Sequence, residues 1–356
     1  MNRAIYLNAA AVLNVAGSEC ADLLGTPCAA QPLAFDAQRQ AFALPTPRLA
    51  SDLFDRKIQR SVEPQGLRLL HCAARLAPAL AALQLPASRI ALTAAIPEVD
   101  APSPCWDAVQ AIIEQPQKQL AQLLANTPPL HALTLLNSSV MAYVAESLNC
   151  HGPMGGFCSQ DNAGLDALIE ACQQIGERHA DAALVVSSSP NLTPALYLRE
   201  PDLASEPIFG EGAAALLLAS TPPPGAAHAV RIAGFARGYS TDPQRSVVVG
   251  RRVIDQVLSG EKLRVGDVEH IVGNCADGQV MKLLEAFPRE IRSTRAMTGE
   301  LGASGLLTEV ALTLHLSREV AATPGYTLLV SHTRAGHWGA LLLASETMEK
   351  LSLIHI

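Results

Sequence analysis

The groups able to do covalent chemistry are few and scattered along the chain. Eight cysteines stand at positions 20, 28, 72, 105, 150, 158, 172 and 275. None forms a C-x-x-C pair or a Cys/His cluster at zinc spacing, so no metal site is read from them. Most lie inside apolar runs, the setting of buried free thiols in a reducing compartment. Cys158 lies three residues before a turn that opens a helix, at Asp161. A thiol needs a helix terminus or a cation beside it to become a thiolate, and the position behind that turn belongs to the aspartate. A carboxylate at a helix N-terminus is stabilised as the anion, which makes Asp161 a good cap and a poor nucleophile. Gly155-Gly156 resembles a phosphate loop only in composition, since Asp161 occupies the helix-opening place that such a loop needs. Glu300 reads as a satisfied polar residue paired with Arg295. His332 and His337 flank a late turn, where each can face a site or serve the fold.

Alternating β-like and helical patterns must position these groups. Arg60 to Leu83 carries leucine and alanine close to helical spacing, and Ile90 to Ile96 reads as a strand. Helices are expected over Cys105 to Leu124, Leu133 to Leu148 and Asn162 to His179. Leu165, Leu168, Ile169, Cys172 and Ile175 share one face of the last. Buried strands are expected at Ala182 to Ser187 and Phe209 to Ser220. Thr221-Pro-Pro-Pro-Gly225 then reads as a linker, and the pattern restarts with a strand at Val230 to Phe235. A helix over Val247 to Leu258, a strand at His270 to Gly273, a helix over Leu306 to Val320 and a final hairpin of Thr327–Ser331 with Ala340–Ala344 follow. This is a layered α/β pattern in two halves, 1–220 and 221–350.

Composition narrows the function. Of 356 residues 49% are apolar and 17% charged, the opposite of a disordered chain. A net charge of −7 argues against a nucleic-acid partner. No run reaches the ~18 apolar residues of a membrane helix. The first residues could pass for a weak signal peptide, but Asn8 and Asn14 interrupt the apolar run, which reads equally as a first strand and turn. A cytoplasmic protein is expected. Leu351 to Ile356 back-translates, within codon degeneracy, to a common sequencing-adapter end, so 351–356 is read as a non-native tail.

Several segments, taken in order, resemble the β-ketoacyl synthases of the thiolase fold. Gly152-Pro153 followed by Asp161-Asn-Ala-Gly-Leu-Asp-Ala-Leu168 is similar to that family's nucleophile region. Gly210-Glu-Gly-Ala213 resembles its G-E-G-A segment. Ser293 to Gly305 resembles its S-T-K-x-M-T-G-H-x-x-G-A-x-G segment with one residue fewer. Ala335-Gly-His-Trp-Gly-Ala340 sits where the family has its last glycine turn, and Phe54 to Gln59 resembles an early helix. The resemblance spans most of residues 50–345. It implies a thiolase-like α/β/α/β/α sandwich of two pseudo-equivalent halves, with no metal or organic cofactor. It also implies that the strand near Ala183–Ser187 pairs across a dimer.

The departures carry the functional expectation. The family's nucleophilic cysteine falls at Asp161, its two catalytic histidines at Cys275 and Glu300, its lysine at Arg295, and its gating phenylalanine near Arg334. Condensation needs a thiolate to hold the acyl chain and two imidazoles to stabilise the oxyanion during malonyl decarboxylation. An aspartate replaces none of the thiol's chemistry, Glu300 would oppose an oxyanion, and Cys275 is a weak donor. The family branch that fits such losses is the chain-length factor, the non-condensing half of type II polyketide and aryl-polyene synthases. Gly164-Leu-Asp-Ala-Leu168 resembles its helix start, although a glutamine stands at the nucleophile position in its aromatic-polyketide members. The resemblance implies an active ketosynthase subunit as heterodimer partner and an acyl carrier protein as the source of malonyl units. Asp161, Cys275 and Glu300 are expected to converge. The alternatives are a stand-alone acyltransferase or hydrolase using Cys158 or Cys275, and a malonyl decarboxylase, which the absence of both histidines disfavours.

Overall fold

A computed structural model describes residues 3–49, 51–97, 113–118, 121, 125, 137–198, 207–273, 277–285, 287, 289–319 and 325–348. Most of the helix expected at Cys105 to Leu124, together with Cys275 and the tail 351–356, lies outside the described residues.

The first half opens with β1 (Tyr6–Asn14), a β2–β3 hairpin (Gln31–Leu33, Asp36–Phe42), α1 (Pro64–Arg75) and β4 (Ile90–Ala95). It continues with α2 (Asn137–Leu148), β5 (Met154–Phe157), α3 (Ala163–Gly176), β6 (Ala182–Ser188), β7 (Phe209–Gly210) and β8 (Gly212–Ala219). The second half holds β9 (His228–Tyr239), α4 (Pro243–Gly260), β10 (Val268–Gly273), α5 (Gly278–Leu284), β11 (Ile291–Arg292), α6 (Gly305–Glu319), β12 (Gly325–His332) and β13 (His337–Thr347).

Local chemistry sets several boundaries. The helical pattern from Arg60 to Leu83 is cut twice by proline. Pro64 starts α1, where its missing N–H costs nothing, and Pro78 begins a separate short helix, Ala77–Ala82. Arg56–Arg60 is its own short helix, capped by the Asp55 carboxylate accepting from the Ile58 N–H at 2.8 Å. Strands β4, β6 and β8 are buried along their whole length. That is why they read as unbroken apolar runs and do not alternate.

Ten strands form one sheet in the order β11-β10-β12-β13-β9-β1-β8-β6-β4-β5. It divides at β9/β1 into two five-strand sets. Each runs, from the join outward, through its own first, last, fourth, second and third strand, so the halves repeat one topology. Across the join Tyr6 and Leu7 pair with β9, and the Ile232 N–H donates to the Ile5 carbonyl at 2.9 Å.

Three apolar clusters give the layers. α1 and α2 pack on the outer face of the first set, and α4 and α5 on the outer face of the second. α3 and α6 lie between the sets: Leu165, Leu168 and Ile175 share one core with Leu307, Val310, Val230 and Leu341. The result is the expected α/β/α/β/α sandwich of two pseudo-equivalent halves. α3 buries its leucine, isoleucine and alanine positions and leaves a polar face of Asp166, Glu170, Gln173 and Gln174 accessible.

One expectation is corrected here. The strand at Ala183–Ser187 is not a sheet edge: β6 pairs with β4 on one side and β8 on the other. The outermost strand of the first half is β5, with Met154 50% exposed. Among the described residues no helix is long and apolar enough to cross a membrane.

Candidate functional site

The N-terminal ends of α3 and α6 meet at the middle of the sandwich. Each is preceded by a short 3-10 turn, Gln160–Asn162 and Gly302–Ser304. A cavity with about 40 Å³ of room for water centres lies between them and the carboxyl ends of β10 and β12. Asp161, Arg295, Glu300, Glu309 and His332 line it. That volume admits one or a few water molecules.

Asp161 does not cap α3. The capping position belongs to Asn162, and no side-chain cap bond is made there. Asn162 is buried and accepts from the Ser331 hydroxyl at 3.0 Å, so it ties α3 to the end of β12. The Asp161 carboxyl instead turns across to the second half. A Cβ placed on Gly302, whose φ is +52°, would lie 3.5 Å from its Oδ1. Burial raises the Asp161 pKa, and the charges of Arg295, Arg334 and His332 oppose that rise. The expectation of a plain helix cap therefore fails because the turn before α3 aims this side chain into the cavity.

Glu300 is buried and fully engaged. Its carboxylate forms an ion pair with Arg295 and accepts from the Gly302 N–H at 2.9 Å. Its backbone joins the sheet fragment at β7: Glu300 N–H donates to Ile208 O at 2.8 Å, and Gly210 N–H donates to Glu300 O at 3.0 Å. This close approach explains the glycine at 210, where a Cβ would lie only 1.8 Å from Thr298 O.

Glu309 was not singled out in the sequence. It lies on α6 and accepts from the backbone N–H and the hydroxyl of Thr294, at 2.7 and 2.8 Å. Burial pushes its carboxyl up to about 7, against those two hydrogen bonds and the Arg295 charge. The available signal was a lone acidic residue in the apolar run Leu306-Leu-Thr-Glu-Val-Ala311.

Asp161, Arg295 and Glu300 thus share one cavity, and Cys275 is outside the described residues. Cys158 is exposed and is not among the cavity-lining residues. His337 packs on Tyr239, with ring centroids 4.6 Å apart. His332 is held by Asp277 and packs on Trp338. Among the described residues no three His, Cys, Asp or Glu side chains are grouped as metal ligands. Asp166 of the Gly-Leu-Asp-Ala-Leu segment accepts from Ser159 and pairs with Arg237 of β9 at 2.6 Å, so it braces the start of α3.

The architecture matches solved structures over almost its whole length. One is the ishigamide ketosynthase/chain length factor (14% identity, 96% of this chain and 99% of that chain covered, TM-score 0.78). The chain has the ketosynthase fold. A second match is a type II polyketide acyl-carrier protein in complex with its ketosynthase bound to the hexaketide, at 13% identity, with 96% and 99% covered and a TM-score of 0.74. A third is a β-ketoacyl synthase from Burkholderia phymatum, at 15% identity, with 98% and 100% covered and a TM-score of 0.73. No protein-family model and no curated protein sequence matches the chain. Identities this low carry the fold, and the chemistry must be argued from the ketosynthase-fold cavity itself. That cavity holds three carboxyl groups, from Asp161, Glu300 and Glu309, and the guanidinium of Arg295. The Glu300 carboxylate, held by Arg295, sets a negative charge at this place that opposes a developing oxyanion.

Proposed function

We propose that this chain is a chain-length-factor-like, non-condensing subunit of a type II ketosynthase heterodimer in polyketide, aryl-polyene or fatty-acid-like biosynthesis. The supporting observation is the cavity at the start of α3. It is filled by Asp161 and by the Arg295–Glu300 ion pair, and its remaining space is of the order of a few waters. The groups that line it are wrong in charge for decarboxylative condensation.

In this reading the partner ketosynthase supplies the cysteine and the histidines, and an acyl carrier protein delivers the malonyl units. The chain contributes wall to the tunnel that receives the growing product. The edge strand β5 is the surface for pairing: among the described residues its outer backbone groups have no neighbour strand, and an unpaired strand edge seeks one. Cys158 as a displaced nucleophile finds no support, because it is exposed and absent from the cavity wall. The test is co-expression with an intact ketosynthase from the same gene neighbourhood, followed by malonyl incorporation assays. Turnover by the complex with none by the lone chain supports the reading; turnover by the lone chain overturns it.

A further inference from the structure

The Arg295–Glu300 ion pair leaves three other ionisable groups around the cavity: Asp161, Glu309 and His332. His332 is committed elsewhere, because its Nδ1 lies 2.7 Å from Asp277 Oδ2 and its ring packs on Trp338. Arg334 acts on Asp161 from the exposed turn after β12. Glu309 of α6 is faced by Thr294 and Arg295. Both Thr294 donors, the backbone N–H and the hydroxyl, fall on one carboxyl oxygen, Oε1, at 2.7 and 2.8 Å. Three carboxyl groups with one guanidinium among them, in a space for a few waters, cannot all ionise without mutual repulsion. Oε2 of Glu309, which takes neither Thr294 donor, is the place for a proton. The two Thr294 bonds also have a mechanical consequence. Thr294 opens the short helix Arg295–Thr298, and Gly299 and Glu300 follow it directly. Glu300 pairs with Arg295 and accepts from the Gly302 N–H at 2.9 Å, so one clip on α6 holds the whole segment that walls the cavity.

We propose that Glu309 and Thr294 form a proton-held latch: the protonated carboxyl keeps the segment 293–302 closed over the cavity between α3 and α6, and loss of that proton releases it. The sign follows from where the carboxylate is hydrated. In the closed chain burial raises the Glu309 carboxyl to about 7, against the Thr294 hydrogen bonds and the Arg295 charge. In an opened segment water reaches the group, and its value returns to about 4.3. The closed state is therefore favoured at low pH and loses ground as pH rises through about 7. Release frees Arg295 and Glu300 together, because both ride on the segment that Thr294 clips. Near neutral pH the latch thus sets how often the starts of α3 and α6 meet solvent. It is a property of this chain by itself and does not rest on the function proposed above.

The experiment is hydrogen–deuterium exchange of the purified chain between pH 5.5 and 8.5, read by mass spectrometry and corrected for the intrinsic pH dependence of amide exchange. Protection of peptides covering 293–302 should fall about 30-fold over that range in the wild type, as a carboxyl at about 7 when closed and about 4.3 when open requires. Glu309→Gln should show no such fall after the same correction. Thr294→Val removes one donor of the latch and keeps Glu309. It should lower protection of the same peptides about fivefold at pH 5.5, the worth of one hydrogen bond, and retain the pH dependence. Protection of these peptides should also stay below that of β13, because the opening is local. A flat wild-type profile, an equal fall in Glu309→Gln, unchanged protection in Thr294→Val, or protection that matches β13 at every pH overturns the latch.

Discussion

At the scale of single residues, the account turns on which charges occupy the cavity. Asp161→Cys should not create a condensing enzyme in the lone chain, measured as radiolabelled malonyl incorporation. A thiolate restores acyl transfer only, while loss of an oxyanion donor costs on the order of 10²–10³ in rate and Glu300 adds a repulsive charge. Glu309 makes a separate prediction about stability. Its proton is held more tightly in the folded chain than in the unfolded one, because the folded pKa is raised to about 7. The sign follows directly. The stabilisation is complete below the ordinary glutamate value near about 4.3 and is lost as pH rises through about 7. Glu309→Gln keeps an acceptor for Thr294 and removes the titration. Urea unfolding between pH 5 and 8 should therefore show the wild type losing about 2 kcal/mol relative to the variant. Parallel profiles would contradict the buried-carboxyl assignment. The identity of Asp161 was legible in the sequence but its direction was not. A residue two places before a helix can reach back to its end or point away, and the 3-10 turn with Gln160 at φ +53° decides that.

At the scale of elements, strands and helices were legible wherever burial is one-sided or complete, as in α3, β4, β6 and the β12–β13 hairpin. Which strand forms the sheet edge was not, because an apolar run such as Ala182–Ser188 looks alike in the middle of a sheet and at its margin. The short strand Met154–Phe157 carries two glycines and little apolar signal, yet it is the outer strand. Met154→Pro should leave the isolated chain folded and abolish co-purification with a ketosynthase partner, since it removes a backbone donor from the open side of the strand and stiffens the edge. Unchanged co-elution on size-exclusion chromatography would argue against β5 as the pairing surface. The contact between β7 and the turn around Glu300 is tighter still. Gly210→Ala forces a methyl against Thr298 O and should cost about 2–3 kcal/mol in denaturant unfolding, by displacing the segment that carries Glu300.

At the scale of the whole molecule, the repeated strand order and the five layers make a sandwich whose two central helices point their N-termini at one place. In such a fold that place is where a nucleophile gains most from helix dipoles. Here, within the ketosynthase fold, it holds carboxyl groups and a guanidinium. Pairing with an active ketosynthase should bury well over ~2,000 Å², as obligate assemblies do, and give a one-to-one complex by light scattering. The most direct measurement is malonyl incorporation with carrier protein, run for the lone chain, the complex and the complex carrying Asp161→Asn. The account predicts no turnover by the lone chain, turnover by the complex, and turnover retained with Asp161→Asn. Activity in the lone chain, or activity lost with Asp161→Asn while the heterodimer stays intact, would contradict it.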